Sequence, residues 1–351
     1  MRDVLDKIEI LKGTLNDIKD VMSFINLEWR KNHILSQNEI LFRYDYQYGI
    51  NLNFIIAREN NSKEIIGILG FIPTSINKSH IYSSIENSDY CASLWKVKKN
   101  IQNPIVGIQL LQVLRSMNDV GVLFSLGINE KTIGIYKYLG MYTNSLRHYV
   151  MINENIPQFK IAVHSKFSFR NNIDYLVDED YCVKLINDQS ELSRFNFDQF
   201  KNNIPFKNET YFTKRYFEHP IYEYIVLGAY LNNKLEGFFV TRIQTHIDST
   251  VLRIVDFIGK ENCISSLGKF VANLIVENSY EYADFYCFGI DNDLLLNSGF
   301  NLVEPLKEDL IIPNYFSPFT QKNISIHFYA DTDKIENIKL FKGDGDQDRP
   351  N

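Results

Sequence analysis

The chain has 351 residues, a formal net charge of −6 and 45% apolar residues. The acidic balance excludes nucleic acid as the main partner but leaves room for an anionic small molecule at a local positive site. No apolar run reaches the roughly 18 residues of a membrane span, and the opening Met1-Arg2-Asp3-Val4-Leu5-Asp6 lacks the apolar core of a signal peptide, so a cytoplasmic chain without membrane insertion is expected. The length suggests two domains.

Leu15 to Asn32 reads as a helix, with Ile18, Val21, Met22, Ile25 and Trp29 near a 3.6-residue period and Thr14 as its N-cap. Asn53 to Arg58 is a strand, Asn60-Asn61-Ser62 a turn, and Glu64 to Ile72 the hairpin partner, stopped at Pro73. Cys91 to Val97 is another strand. It leads into a turn with Gln102, Pro104 and Gly107, then an apolar helix from Ile108 through Leu114. Gly121 to Leu126 is a strand ending near Asn129. A short helix then carries Tyr136 and stops at Gly140-Met141, where glycine serves as a left-handed cap.

A strand–turn–helix unit points the orphan N–H groups of the first helical turn at whatever occupies the turn. Those donors and the helix dipole make an anion site suited to a pyrophosphate. The order resembles the GCN5-related N-acetyltransferase superfamily, whose signature is Gln or Arg, two residues, Gly, one residue, then Gly or Ala. Gln102 matches the first position and Gly107 the last, while Ile105 replaces the first glycine. Asn129 and Tyr136 match the asparagine and tyrosine that follow in the family. The resemblance implies an α/β fold with mixed, mostly antiparallel sheets flanked by helices. It also implies an acyl-coenzyme A donor, acetyl-CoA or another short acyl-CoA. The donor would be held by Trp95, Lys96, Val97, Gln102, Ile105, Val106, Gly107, Ile108, Asn129 and Tyr136, with Tyr136 protonating the leaving thiolate.

Asn153 to Asn172 reads as a bridge, after which the element order repeats. Leu192 to Phe200 is a helix, and Tyr222 to Tyr230 and Leu235 to Arg242 are strands joined at Asn232-Asn233. Val251 to Gly259 is a strand, Ser265 to Val276 a helix and Tyr282 to Phe288 a strand. Leu296-Asn297-Ser298-Gly299-Phe300 echoes Leu139-Gly140-Met141. Two tandem domains are expected, 1–152 binding acyl-CoA and 153–351 recognising the acceptor. In the second, the turn Lys260-Glu261-Asn262-Cys263 puts a negative charge where a phosphate would sit. The four cysteines, Cys91, Cys182, Cys263 and Cys287, are widely spaced in apolar surroundings, so buried free thiols and no metal are expected.

His33, just past the first helix, has the pKa of a base near neutrality, and is equally a surface histidine. Asp256 stands alone among Ile254-Val255 and Phe257-Ile258, so it is either paired in the core or faces a cleft. Tyr211 to Pro220 gathers Lys214, Arg215, His219 and four aromatics, a set that can grip a nucleotide or form a solvated helix end. The tail carries Asp344, Asp346 and Asp348 at alternate positions but lacks the glutamate of a calcium loop.

This ending resembles tandem acyltransferases of bacterial surface-polysaccharide gene clusters. That likeness implies N-acylation of a nucleotide-linked amino-deoxy sugar for O-antigen or capsule. The attack would be direct, with His33 or Asp256 as base and with Arg215, His219, Asp256 and the tail carboxylates at the acceptor. Aminoacyl or long-chain acyl transfer, and a non-catalytic binding protein of the same fold, are the alternatives.

Overall fold

The computed structural model describes residues 8–76, 88–101, 105–117, 120–164, 181–307 and 309–350, without the Asp346 side chain. Strand β1 (Ile8–Thr14) opens the chain. The Asp17 carboxylate accepts from both the N–H and the hydroxyl of Thr14, at 2.7 and 2.8 Å. This starts a helical run in three geometries: a 3-10 turn at Leu15–Asp17, α1 (Ile18–Phe24) and a π turn at Ile25–Trp29. The run ends at Trp29, short of the expected Asn32, and Trp29 is 41% exposed rather than core. Helix α2 (Glu39–Tyr46) is capped by the Asn38 side chain.

The hairpin β2 (Asn51–Glu59) and β3 (Ile65–Pro73) precedes β4 (Ser88–Val97), α3 (Ile105–Arg115) and β5 (Val120–Leu126). Helix α4 (Ile133–Tyr138) follows, then β6 (Tyr142–Ser145) and β7 (Arg147–Ile152). The second half supplies β8 (Cys182–Ile186), β9 (Ile225–Leu231), β10 (Lys234–His246) and β11 (Ser249–Gly259). Then come α5 (Ile264–Glu277), β12 (Tyr282–Phe288), α6 (Asn292–Asn297), β13 (Asn301–Val303), β14 (His327–Ala330) and β15 (Leu340–Phe341). The turn between β9 and β10 has Asn232 and Asn233 at φ 51° and 65°, the conformation of a tight two-residue hairpin. The expected helix at Leu192–Phe200 is instead two 3-10 segments, Gln189–Arg194 and Phe197–Phe200, because Phe195 is extended between them.

Two eight-stranded sheets result. The first runs β1-β2-β3-β4-β5-β14-β6, with Gln47–Tyr48 beside β2; the second runs β8-β9-β10-β11-β12-β7-β13, with β15 beside β12. Each has one parallel pair among the described strands, β4 with β5 and β11 with β12. A parallel pair needs a crossover, and α3 and α5 provide it. Helix α5 buries Ile264, Leu267, Val271 and Ile275, the spacing of one helical face, against the second sheet. Helix α3 buries Val106, Leu110, Leu111 and Leu114 against the first.

The halves exchange strands. β7 lies between β12 and β13 of the second sheet, and β14 lies between β5 and β6 of the first. The expected boundary at 152 therefore falls at the end of a second-sheet strand. Only Leu146, buried at the junction with Phe124, Phe328 and Leu340, separates β6 from β7. Cys91, Cys263 and Cys287 are buried free thiols as expected. Cys182 is exposed, because β8 is an edge strand.

Candidate functional site

The pairing of β4 with β5 is confined to Ser88↔Val120, Tyr90↔Leu123 and Cys91↔Phe124. Beyond these the two strands part, although β4 continues to Val97 and β5 to Leu126. The cause lies in β4. Its register with β3 slips between Ile68↔Lys96 and Gly70↔Ser93, and Leu94 takes φ 42°, a left-handed conformation that is costly for a branched side chain. At the fork the Ser125 hydroxyl donates to the Ala92 carbonyl at 2.7 Å.

A cavity of about 560 Å³ fills the opening. Trp95, Val97, Gly107, Ile108, Asn129 and Tyr136, all singled out from the sequence, line it. Lys96, Ile105 and Val106 do not. Val106 is fully buried in the core beneath α3, and Lys96 pairs with Ile68 on β3. Gln102 lies outside the described residues. Helix α3 brings Gly107 and Ile108 of its first turn to the cavity. A Cβ on Gly107 would meet Trp95 at 3.6 Å and Val97 at 3.7 Å, ordinary contact, so the protein's own packing leaves space there.

Tyr136 is 4% exposed. Its ring stacks on Tyr329 with centroids 4.3 Å apart and tilts against Trp95 at 5.9 Å. Burial pushes its phenol up to about 12, with a bond from Thr132 opposing. Helix α4 ends as expected: Gly140 sits at φ 81°, and the Met141 N–H returns to the Tyr136 carbonyl at 3.0 Å. The Asn129 side chain accepts from the Lys131 N–H at 3.0 Å, capping the turn that leads into α4.

Sequence reasoning missed Trp29, Ser125, Thr132, Tyr315, Tyr329 and Gln347, which also line the cavity. Tyr315, Tyr329 and Gln347 come from the far end of the chain, so no local spacing could reveal them. A second cavity of about 650 Å³ adjoins the first, sharing Gly127, Ile128, Tyr315 and Gln347 and adding Glu130, Lys322 and His327.

Of the expected acceptor residues, Arg215, Asp256, Asp344 and Asp348 form a separate cluster. Asp256 is fully buried. It accepts from Lys207, from Tyr216 at 2.7 Å and from its neighbour's N–H, that of Phe257, at 2.8 Å. Lys207 also donates to Asp344 at 2.9 Å. Burial raises the Asp344 carboxyl most, Lys207 opposes and Asp256 adds to the rise, leaving it at about 7. Asp348 accepts from Arg242 at 2.6 Å and Tyr224 at 2.9 Å, and Arg215 donates to its backbone carbonyl at 2.7 Å. Arg242 and Arg215 hold the Asp348 carboxyl below its usual range against the cost of burial. Arg349 reaches Asp45 on α2.

The structure thus brings Asp256, Arg215, Asp344 and Asp348 together as internal ion pairs. His219 uses Nδ1 to accept from Ile221 and Tyr222, and burial lowers it to about 3, with Arg215 and Arg349 adding to the effect. His33 is buried, with Nδ1 accepting the Leu35 N–H at 3.2 Å as a helix cap; burial, then Arg30, lowers its pKa. Neither His33 nor Asp256 is among the residues lining the cavity between β4 and β5.

The equivalent opening in the second sheet is closed by the chain itself. β11 and β12 pair at Leu252↔Ala283, Arg253↔Asp284 and Ile254↔Phe285. Past that point β15 pairs with Cys287 and Phe288, and Phe341 stacks on Phe285 at 5.7 Å. At Gly343 a Cβ would lie 2.9 Å from the Val255 carbonyl, so the tail runs directly against β11. Glu261, in the turn that leads into α5, is paired with Lys339.

No protein-family profile and no curated protein matches the sequence. Solved structures do match. A GCN5-related N-acetyltransferase from Anabaena variabilis superposes with TM-score 0.56 at 11% identity, over 92% of this chain and 72% of that one. An acetyltransferase candidate from Pyrococcus horikoshii gives 0.50 at 12% identity, over 95% and 94%. The GCN5-related glucosamine N-acetyltransferase region of a fungal β-N-acetylglucosaminidase gives 0.50 at 11% identity, over 92% of this chain and 38% of that one. Among the described residues no helix is long and apolar enough to cross a membrane. Two mostly antiparallel sheets, each with one parallel pair and a crossover helix, give the chain the fold of the GCN5-related N-acetyltransferases in tandem.

Proposed function

We propose that the protein transfers a short acyl group from acyl-CoA to a primary amine in the cleft between β4 and β5. The observation that carries this is the parting of the two strands after Cys91 and Phe124 at the mouth of α3. A bulged strand freed from its neighbour offers backbone groups to an extended, amide-bearing arm such as pantetheine, as an added strand would. The helix start suits the pyrophosphate. The amine nitrogen attacks the thioester carbonyl carbon, the C–N bond forms, and the C–S bond breaks. Tyr136, protonated at neutral pH, gives its proton to the leaving thiolate; the acylated nitrogen loses its surplus proton to solvent, and the Tyr136 phenolate takes one back from solvent.

The acceptor we assign is the amino group of a nucleotide-linked amino-deoxy sugar. The adjoining cavity of about 650 Å³ is large enough for such a molecule. Its wall carries Glu130 for an amine and Lys322 for a phosphate. Among the neighbours, the fungal region acts on glucosamine, also an amino sugar.

Calorimetry with acetyl-CoA, followed by thiol release in the presence of nucleotide-linked amino sugars, tests the reading. Gly107→Ala should bind acetyl-CoA like the wild type, because a Cβ fits. Gly107→Glu, which puts a carboxylate at the helix start, should abolish measurable binding. Wild-type affinity in the glutamate variant overturns the donor site. Binding without acceleration by any amino sugar overturns the acceptor class alone.

A further inference from the structure

We infer that Tyr329 is a second hydrogen-bond donor of this cleft, holding an oxygen at the acyl end of the acyl-CoA; the inference rests on the donor reading above. Tyr329 arrives on β14, the strand contributed by the other half, in register with Ser125 on β5 and Thr143 on β6. Its ring stacks on Tyr136, and it lines the same cavity. The side chain is fully buried, and its hydroxyl has no hydrogen-bond partner among the described residues.

Native proteins pair nearly all buried hydroxyls, because a lost partner is not replaced by water. Packing does not explain this one. A phenylalanine would fill the same space, keep the stack on Tyr136 and leave nothing unsatisfied. The hydroxyl is therefore free to take an acceptor in the cavity it lines, and a bound ligand brings one. Burial, with Tyr136, Cys91 and Asp331 adding to it, keeps the phenol protonated well above its ordinary range, so it acts as a donor. Acyl-CoA supplies such an acceptor in two forms, the thioester carbonyl or an oxygen further along the acyl chain. Free coenzyme A ends in a thiol, a weak acceptor that supplies neither.

The test is Tyr329→Phe in the full chain, titrated by calorimetry with free coenzyme A, acetyl-CoA and 3-hydroxybutyryl-CoA. Free coenzyme A should bind as to the wild type. Acyl-CoA should bind about three- to tenfold more weakly, the effect of one lost hydrogen bond. The melting temperature should stay the same or rise. Equal loss with both acyl-CoAs identifies the thioester carbonyl; loss confined to 3-hydroxybutyryl-CoA identifies the chain oxygen. Unchanged affinity for both overturns the inference and leaves the donor site standing. So does an equal loss for free coenzyme A, which marks a packing role. A wild-type protein that binds no coenzyme A overturns the donor site and this inference with it.

Discussion

The phenol of Tyr136 sits against Trp95 and Tyr329 with 4% of its surface exposed, and burial raises it to about 12. A general acid must hold its proton at the working pH, and a phenol raised this far meets that requirement of the role we propose for Tyr136. The rate should therefore show no alkaline fall from this group below about pH 10. Tyr136→Phe should lower kcat by roughly ten- to a thousandfold with acetyl-CoA affinity nearly unchanged, because the ring contacts remain. A kcat within about twofold of wild type would mean that the proton comes from elsewhere. Tyr136, Asn129 and Gly107 were legible in the sequence because they lie in one continuous strand–helix–strand–helix segment, where spacing in the chain reports spacing in space. Asp256 was legible as an anomaly, but its partners were not. Lys207 and Asp344 meet it across long stretches of chain, so nothing local decides between a carboxylate paired in the core and one that faces a cleft.

Strands and helices were readable from periodicity wherever one face is buried, as in α3, α5 and the β9–β10 hairpin. The tail was not, because it forms only β15 and two 3-10 turns, which leave no periodic pattern. The resemblance implied a tail that offers its carboxylates to an amino sugar at the acceptor site. The structure gives it a different physical role. β15 plugs the second cleft, and Asp344 and Asp348 neutralise Lys207, Arg242 and Arg215, all buried. Removing one partner of a buried pair leaves an uncompensated charge, which costs about 3–5 kcal/mol. Asp348→Ala should therefore destabilise the fold by about that amount in urea unfolding at neutral pH. Deletion of residues 343–351 should lower stability further, rather than only raise the KM for the acceptor. An Asp348→Ala protein within about 1 kcal/mol of wild type would show that Arg242 and Arg215 find water or other partners.

At the scale of the whole molecule, the two halves resemble separate domains in sequence because each repeats the same order of strands and helices. Periodicity identifies a strand, but it does not say which sheet receives it. The exchange of β7 and β14 makes each sheet depend on the other half. Without β14, the first sheet has unpaired edges on β5 and β6, and the Tyr136 stack loses Tyr329. Without β7, the second sheet loses the strand between β12 and β13, including His148, whose ring bonds the buried Asp284 at 3.1 Å. Asp284 also takes two bonds from Arg253, at 2.9 and 2.8 Å, so the partner of a fully buried ion pair belongs to the other half. The edges newly opened on β5 and β12 expose polar backbone and apolar faces together, which favours aggregation over folding. Fragments 1–152 and 153–351 expressed separately should therefore be insoluble or lack a cooperative unfolding transition. Co-expressed, they should form a one-to-one complex that unfolds as a unit. Either fragment alone giving a sharp, reversible transition would show that its sheet closes without the exchanged strand, and that the tandem halves are independent after all.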